Sequence, residues 1–144
     1  MTVTFFGHRD APEDILPRLK EIIAGLIEKE GTISFLVGNE GAFDSMVSRS
    51  LIELSEVYPQ IRYSVVLAYL PKATATEKPI HPTVYPEGLE TVPPRFAISK
   101  RNLWMLNQAE TIIVFVTVPM GNSFRLMKQA KAKRKTVINI ADYL

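Results

Sequence analysis

The chain has 144 residues, 47% of them hydrophobic and 22% charged, a composition that is typical of one globular domain and excludes a disordered or fibrous protein. The net charge of +2 lacks the excess of proteins that bind duplex nucleic acid, and the absence of cysteine excludes disulfides, thiolate zinc sites and a cysteine nucleophile. No apolar run approaches the roughly 20 residues of a membrane span. We therefore expect a cytoplasmic protein without a membrane partner.

The first two strand-and-helix units can be predicted from the apolar pattern. A short strand around Val3 and Phe5 ends at Gly7. An amphipathic helix follows, in which Pro17 must lie in the first turn and Asp14 is the expected cap. The stretch "TISFLVG" has the pattern of a strand buried on both faces. The stretch "EGAFDSMVSRSLIELSEVY" is helical in period.

The same alternation continues to the end of the chain. "IRYSVVLAYL" is a third strand, "RFAISKRNLWMLNQA" a third helix, "TIIVFVTV" a fourth strand, "NSFRLMKQAKAKR" a fourth helix and "KTVINI" a fifth strand. Strands that alternate with helices favour a parallel sheet covered on both faces. The predicted fold is therefore α/β: residues 1–144 form one Rossmann-like three-layer sandwich with a five-stranded parallel sheet in the order 3-2-1-4-5. Ligands bind such sheets at the carboxyl ends of the strands where the order reverses.

Residues 70–95 interrupt this rhythm, because they contain six of the ten prolines and no periodic pattern. Long segments without periodicity are often functional lids. We interpret residues 71–93 as a mobile flap beside the ligand crevice, without strand or helix.

The stretch "GHRD" follows the first strand, at one side of the predicted switch point. Gly7 permits a close backbone approach or a positive φ, His8 can donate a hydrogen bond or exchange a proton, and Arg9 suits a phosphate or carboxylate. The alternative is that Gly7 is only a turn residue and that Arg9 pairs with Asp10 or Asp14.

The stretch "VGNEGAFD" holds the equivalent place after the second strand. Gly38 and Gly41 bracket a turn into a helix whose amino end would face the same crevice. Asp44 could accept hydrogen bonds from ribose hydroxyls or could cap that helix. The glycine spacing matches neither the dinucleotide fingerprint nor the P-loop.

The stretch "VPMGNSF" gives the strongest prediction of an anion site. Gly121, Asn122 and Ser123 lead directly into the fourth helix, where free N–H groups and the helix dipole favour negative charge. The alternative is an ordinary asparagine or serine cap.

The third helix begins with cations, in the stretch "KRNLWM". We expect Arg101 and Asn102 to approach the ligand near the amino end of the helix, with Arg101 exposed and of little weight in folding. The alternative is a structural arginine that braces the proline-rich segment. The basic run of residues 128–135 fits a solvated helix end, and no metal site or cofactor is expected.

Four segments together resemble the YpsA-like branch of the SLOG superfamily, bacterial Rossmann-like proteins related to the DprA and lonely-guy families. These segments are "FFGHRD", "VGNEGAFDSMV", "YPEGLETVPPRFAISKRNLWM" and "MGNSFRLMKQAKAKRKTVINI", and the resemblance covers nearly the whole chain. It implies binding of a nucleotide or a nucleotide derivative. The residues on the family's motif positions are Gly7, His8, Arg9, Gly38, Asp44, Arg101, Asn102, Gly121 and Ser123.

The chain departs from the related enzymes at one motif. The lonely-guy enzymes carry PGGxGTxxE, whereas this chain reads "PMGNSFRLM", with no acid after the glycine, and Asn122 stands where the YpsA-like group commonly has a second glycine. The resemblance therefore favours a ligand sensor or adaptor over an enzyme of that type.

Three functions remain open on the sequence. The first is a nucleotide-binding sensor or adaptor, for which a homo-oligomer is compatible with the sequence. The second is a nucleotide-processing hydrolase that uses His8, Asp44 or Glu87 as acid or base. The third is a protein associated with single-stranded DNA through the cations between Lys131 and Arg134.

Overall fold

A computed structural model of the chain describes residues 1–31, 33–70 and 81–144. The strands are β1 (Thr2–Gly7), β2 (Ser34–Val37), β3 (Arg62–Val66), β4 (Thr83–Val84), β5 (Thr111–Phe115) and β6 (Thr136–Asn139). The helices are α1 (Leu16–Glu30), α2 (Gly41–Val57), α3 (Ala97–Gln108) and α4 (Asn122–Ala132).

The strands form one sheet in the order β4-β3-β2-β1-β5-β6, and all five neighbouring pairs are parallel. The prediction of an α/β fold with a parallel sheet is confirmed. The predicted five-stranded sheet in the order 3-2-1-4-5 needs one correction, because β4 adds a sixth strand beyond β3. The order reverses between β1 and β5, and this reversal makes the carboxyl ends of those strands the switch point.

The additional strand lies inside the proline-rich segment. The N–H of Val65 donates to the carbonyl of Pro82 at 2.8 Å, and that of Leu67 donates to Val84 at the same distance. An edge strand tolerates flanking prolines because one side of its backbone needs no partner. The prediction that residues 71–93 hold neither strand nor helix is therefore wrong for β4 and for a 3-10 turn at Leu89–Thr91. Residues 71–80 of the predicted flap lie outside the described residues.

Alternate side chains of the sheet pack into two separate cores. Phe5 of β1 packs against α1 and α2, whereas its neighbour Phe6 packs against α3 and α4. This alternation follows from the period of two along a strand, and it explains why the strands read as continuous apolar runs. Helices thus cover both faces, as right-handed crossovers on either side of the switch point require.

The start of α1 agrees with the sequence in one respect and not in another. Pro17 lies in the first turn, as predicted. The prediction of Asp14 as the cap is wrong, because Asp14 belongs to a 3-10 turn at Glu13–Ile15 that leads directly into the helix. No helix in the described ranges is both long and apolar enough to cross a bilayer.

Candidate functional site

Two of the predicted loops meet at the carboxyl edge of the sheet. The N–H of Ala42, in the first turn of α2, donates to the carbonyl of Arg9 at 2.8 Å. The Arg9 guanidinium lies 3.6 Å from the Glu40 carboxylate, so its ion pair is neither of those that the sequence suggested. The loops after β1 and β2 therefore form one continuous wall.

A cavity of about 360 Å³ opens beside this wall, between β1, α3 and α4. Its polar lining includes seven of the predicted residues and two further carboxylates, and its apolar lining comes from both strands and helices. The lining residues are Phe5, Phe6, Gly7, His8, Arg9, Asp10, Glu40, Asp44, Ile98, Arg101, Asn102, Met105, Asn122, Ser123 and Leu126. We call this cavity the crevice.

Arg101 is the largest fully buried side chain, with only 2% of its surface exposed. Its Nε donates to Asn102 Oδ1 at 3.1 Å, and its Nη1 donates to Asn39 Oδ1 at 2.9 Å and to the Val66 carbonyl at 3.2 Å. The expectation of an exposed arginine of little weight in folding is therefore wrong. These hydrogen bonds connect α3 to Asn39, in the loop after β2, and to Val66, at the end of β3.

One nitrogen of the guanidinium has no partner among the described residues. Nη2 makes no hydrogen bond there, and since every fully buried side-chain nitrogen or oxygen in the described residues has a partner, Nη2 keeps some accessible surface. Arg101 is also one of the residues that line the crevice. No carboxylate in the described ranges lies within salt-bridge distance of this cation, and burial lowers its pKa. A buried positive charge without a contacting anion is costly.

Asp44 faces Arg101 across Gly38 and lines the crevice. Its Oδ2 accepts the backbone N–H of Glu40 at 2.9 Å and so caps the amino end of α2. Capping was one of the two roles that the sequence suggested for Asp44. Burial raises the pKa of the Asp44 carboxyl to about 6, while the Glu40 hydrogen bond and the charge of Arg101 oppose that rise. At neutral pH the Asp44 carboxyl is therefore mostly ionised, and its charge acts on Arg101 without a salt bridge between them.

The raised pKa of Asp44 predicts a pH-dependent cost to folding. Between about pH 4, the ordinary value, and about pH 6, the folded state keeps a proton that the unfolded state has released. Stability from this group therefore falls as the pH rises through that window. We expect Asp44→Asn to raise the free energy of unfolding by about 1 to 3 kcal/mol at pH 8, with the gain vanishing near pH 4.

Urea unfolding across this pH range measures both quantities. Asp14→Asn is the matched control, because it removes one exposed carboxylate away from the crevice. A constant difference between Asp44→Asn and the wild type at every pH would contradict the prediction.

The amino end of α4 opens onto the crevice through Asn122 and Ser123. Gly121 precedes the helix with a φ of 94°, and neither Asn122 nor Ser123 serves as a side-chain cap. The alternative of an ordinary cap is therefore wrong, and the first turn of α4 keeps N–H groups for another acceptor. This is the arrangement that binds anions at helix ends.

Two of the predicted glycines make room for neighbouring side chains. A Cβ on Gly7 would lie 2.4 Å from the Phe43 ring, so Gly7, which also lines the crevice, makes room for the core. A Cβ on Gly38 would lie 2.7 Å from Asp44 Oδ2 and 3.3 Å from Arg101 Cζ. Because Gly38 has no side chain, the Asp44 carboxyl and the Arg101 guanidinium can both lie close to its Cα.

Some predicted residues lie outside the crevice. Gly38 and Gly41 line a second cavity of about 260 Å³. Of the residues that line this second cavity, only Asp44 also lines the crevice. Neither Gly121 nor Glu87, the third acid-or-base candidate, lines either cavity. Sequence reasoning missed Glu40 and Asn39, although both stand in the "VGNEG" turn that it singled out.

No protein-family model matches this chain, and no curated protein matches it. The described residues contain no group of three or more His, Asp or Glu side chains placed to hold a metal ion. The crevice is therefore the feature of the molecule from which a function can be inferred.

Proposed function

We propose that the crevice binds a nucleotide or a nucleotide-derived anion, and that the protein is a ligand sensor or adaptor of the SLOG type. One observation carries the proposal: a buried guanidinium without a contacting carboxylate in the described residues lines an open cavity. Buried charges in proteins are compensated by a partner. An anion in the crevice supplies that partner.

The position of the crevice suits a phosphate. Arg101 and the first turn of α4 border the same cavity, so one phosphate group can contact both. Guanidinium groups bind phosphate through parallel hydrogen bonds, and helix amino ends add the attraction of their dipole. Arg9 lies at the rim, with 72% of its side chain exposed, and adds a second positive charge beside Glu40.

The size and walls of the crevice favour more than inorganic phosphate. Its volume falls at the lower end of the range of small-molecule sites, about 300 to 1,000 Å³. Phe6, Ile98, Met105 and Leu126 provide an apolar wall, which a free phosphate would leave uncovered. A nucleobase or another flat organic group fits such a wall, and this fit supports a nucleotide-like ligand.

Native mass spectrometry of the freshly purified protein tests the proposal. We expect a bound species whose released mass and fragments identify a phosphate-containing nucleotide derivative. Arg101→Met, purified in parallel, should carry none of it, whereas Arg49→Met should carry as much as the wild type, because Arg49 is an exposed residue paired with Glu13. A bound species that is equally abundant on the Arg101 variant would contradict the proposal.

A second candidate function has one observation in its favour. Asp44 has a pKa of about 6 and lines the crevice, and carboxyls perturbed in this way are typical of acid–base catalysis. A nucleotide-processing hydrolase would use it to exchange a proton with the leaving group. Incubation of the wild type and Asp44→Asn with the co-purified nucleotide, followed by chromatography, tests this role: turnover by the wild type alone supports it, and an unchanged nucleotide contradicts it.

A further inference from the structure

The His8 imidazole is hydrogen-bonded to the loop that leads into α4. Its Nε2 accepts the backbone N–H of Thr117 at 3.0 Å. The His8 backbone N–H donates to the Phe115 carbonyl at 3.3 Å, and its ring packs edge-on against the Phe115 ring. His8 is thus fixed on the end of β5 by three contacts, two of which involve its side chain.

This contact determines the protonation state of the ring. A ring nitrogen accepts a hydrogen bond only when it carries no proton, so His8 is neutral with its proton on Nδ1. An imidazolium has no acceptor, and protonation therefore breaks the bond to Thr117. With the proton on Nδ1, Nε2 is the ring nitrogen that could act as a base, and the Thr117 N–H occupies it.

The loop held by His8 has few other attachments. The Asn139 side chain accepts the backbone N–H of Val116 at 3.1 Å and donates to the Val116 carbonyl at 3.0 Å. Residues 117–121 are all exposed, and the next backbone hydrogen bond in the described structure is from Arg125 to Gly121, inside the start of α4. Among the described residues, His8 therefore supplies the hydrogen bond that holds residues 117–121 between the Asn139 contact at Val116 and the start of α4.

We propose that His8 is a positioning residue of the crevice, which in its neutral form holds residues 117–121 so that the first turn of α4 can contact an anion. This proposal depends on the proposed function, because it takes the crevice to bind an anion. The positioning role itself depends on the hydrogen bond between His8 and Thr117. Loss of the contact lets Asn122 and Ser123 move away from the crevice that they line. Affinity for an anion then falls although no ligand contact has been removed.

The contribution of His8 to affinity must be separated from that of the charged groups nearby. Arg9, Asp10, Glu40, Asp44 and Arg101 also border the crevice, and Asp44 has a pKa of about 6. His8→Gln isolates the histidine, because the glutamine amide oxygen can accept the Thr117 N–H at every pH. His81→Gln is the matched control, since His81 is the other histidine of the chain and lies in the second cavity.

The first part of the test uses the ligand-free protein. Long-range proton–nitrogen NMR should place the His8 proton on Nδ1, and the Thr117 amide should exchange slowly. In His8→Ala that exchange should accelerate, and the amide signals of residues 117–123 should shift. A proton on Nε2, or unchanged signals in His8→Ala, would overturn the positioning role whether or not the protein binds nucleotides.

The second part measures affinity by calorimetry with AMP, ADP, GMP and GDP as probes. For whichever probe binds the wild type, His8→Ala should weaken affinity about three- to tenfold, the range expected for one lost hydrogen bond. His8→Gln and His81→Gln should stay within about twofold at pH 8.

Equal losses in His8→Gln and His8→Ala would overturn the proposal. Failure of every probe on the wild type would count against the proposed function instead. In that case the NMR measurements on the free protein still decide the position of the loop.

Discussion

Arg101→Ala is expected to lower the free energy of unfolding by about 2 to 4 kcal/mol, since it empties a buried volume and leaves buried acceptors without a donor. The Val66 carbonyl loses its contact with Nη1, and the buried Asn102 loses its contact with Nε. Asn39 is exposed and can turn to water, so its contact contributes less. Urea unfolding without ligand measures the loss.

Arg101→Met separates packing from hydrogen bonding. Methionine fills much of the space with a flexible chain and removes the charge that burial disfavours. We expect this variant to lose no more than about 1 to 2 kcal/mol, mainly from the unpaired acceptors. Arg49→Met, at an exposed arginine, is the control and should change stability by less than about 1 kcal/mol. An Arg101→Ala variant as stable as the wild type would contradict the buried position of this side chain.

Gly7→Ala is expected to destabilise the protein by about 1 to 3 kcal/mol, because its methyl group would overlap the Phe43 ring at 2.4 Å. Phe43 itself is fully buried and stacks on Phe115, so the ring has little freedom to yield. The double variant Gly7→Ala with Phe43→Leu should be more stable than the sum of the two single changes predicts. Thermal and urea unfolding of the four proteins measure this coupling.

Gly25→Ala is the matched control, because the same substitution in α1 meets no atom within 4 Å. It should stabilise the protein by about 0.5 to 1 kcal/mol, since alanine is the better helix former. A Gly7→Ala variant as stable as the wild type would mean that the glycine serves the ligand rather than the core.

The sequence predicts most of the fold because the fold follows from periodicity. Apolar runs and amphipathic stretches alternate along the chain, and each predicted strand and helix corresponds to one in the structure. β4 escapes prediction because two residues between prolines carry no period, and only pairing with β3 makes them a strand. Asp14 escapes for a similar reason, since a 3-10 turn before Pro17 takes the place that a cap would hold.

The candidate site can be predicted less completely. The switch-point rule anticipates which loops border the crevice, because it depends only on strand order. The burial of Arg101 carries no such signal: its partners are a side chain 62 positions away and a backbone carbonyl 35 positions away. In a helical stretch, a cation next to the polar Asn102 is typical of an exposed position. Only the packing of α3 beneath the loops of β2 and β3 makes it a buried charge.

Calorimetric titration of the wild type and Arg101→Met with nucleoside mono- and diphosphates, each beside its uncharged nucleoside, tests the central claim most directly. The claim is that the buried guanidinium holds an anion in the crevice. We expect at least one phosphate to bind the wild type, to bind at least tenfold more tightly than its nucleoside, and to lose that advantage in Arg101→Met while keeping it in Arg49→Met. Equal affinity of the wild type and Arg101→Met for the phosphate, or no preference for the phosphate over the nucleoside, would contradict the account.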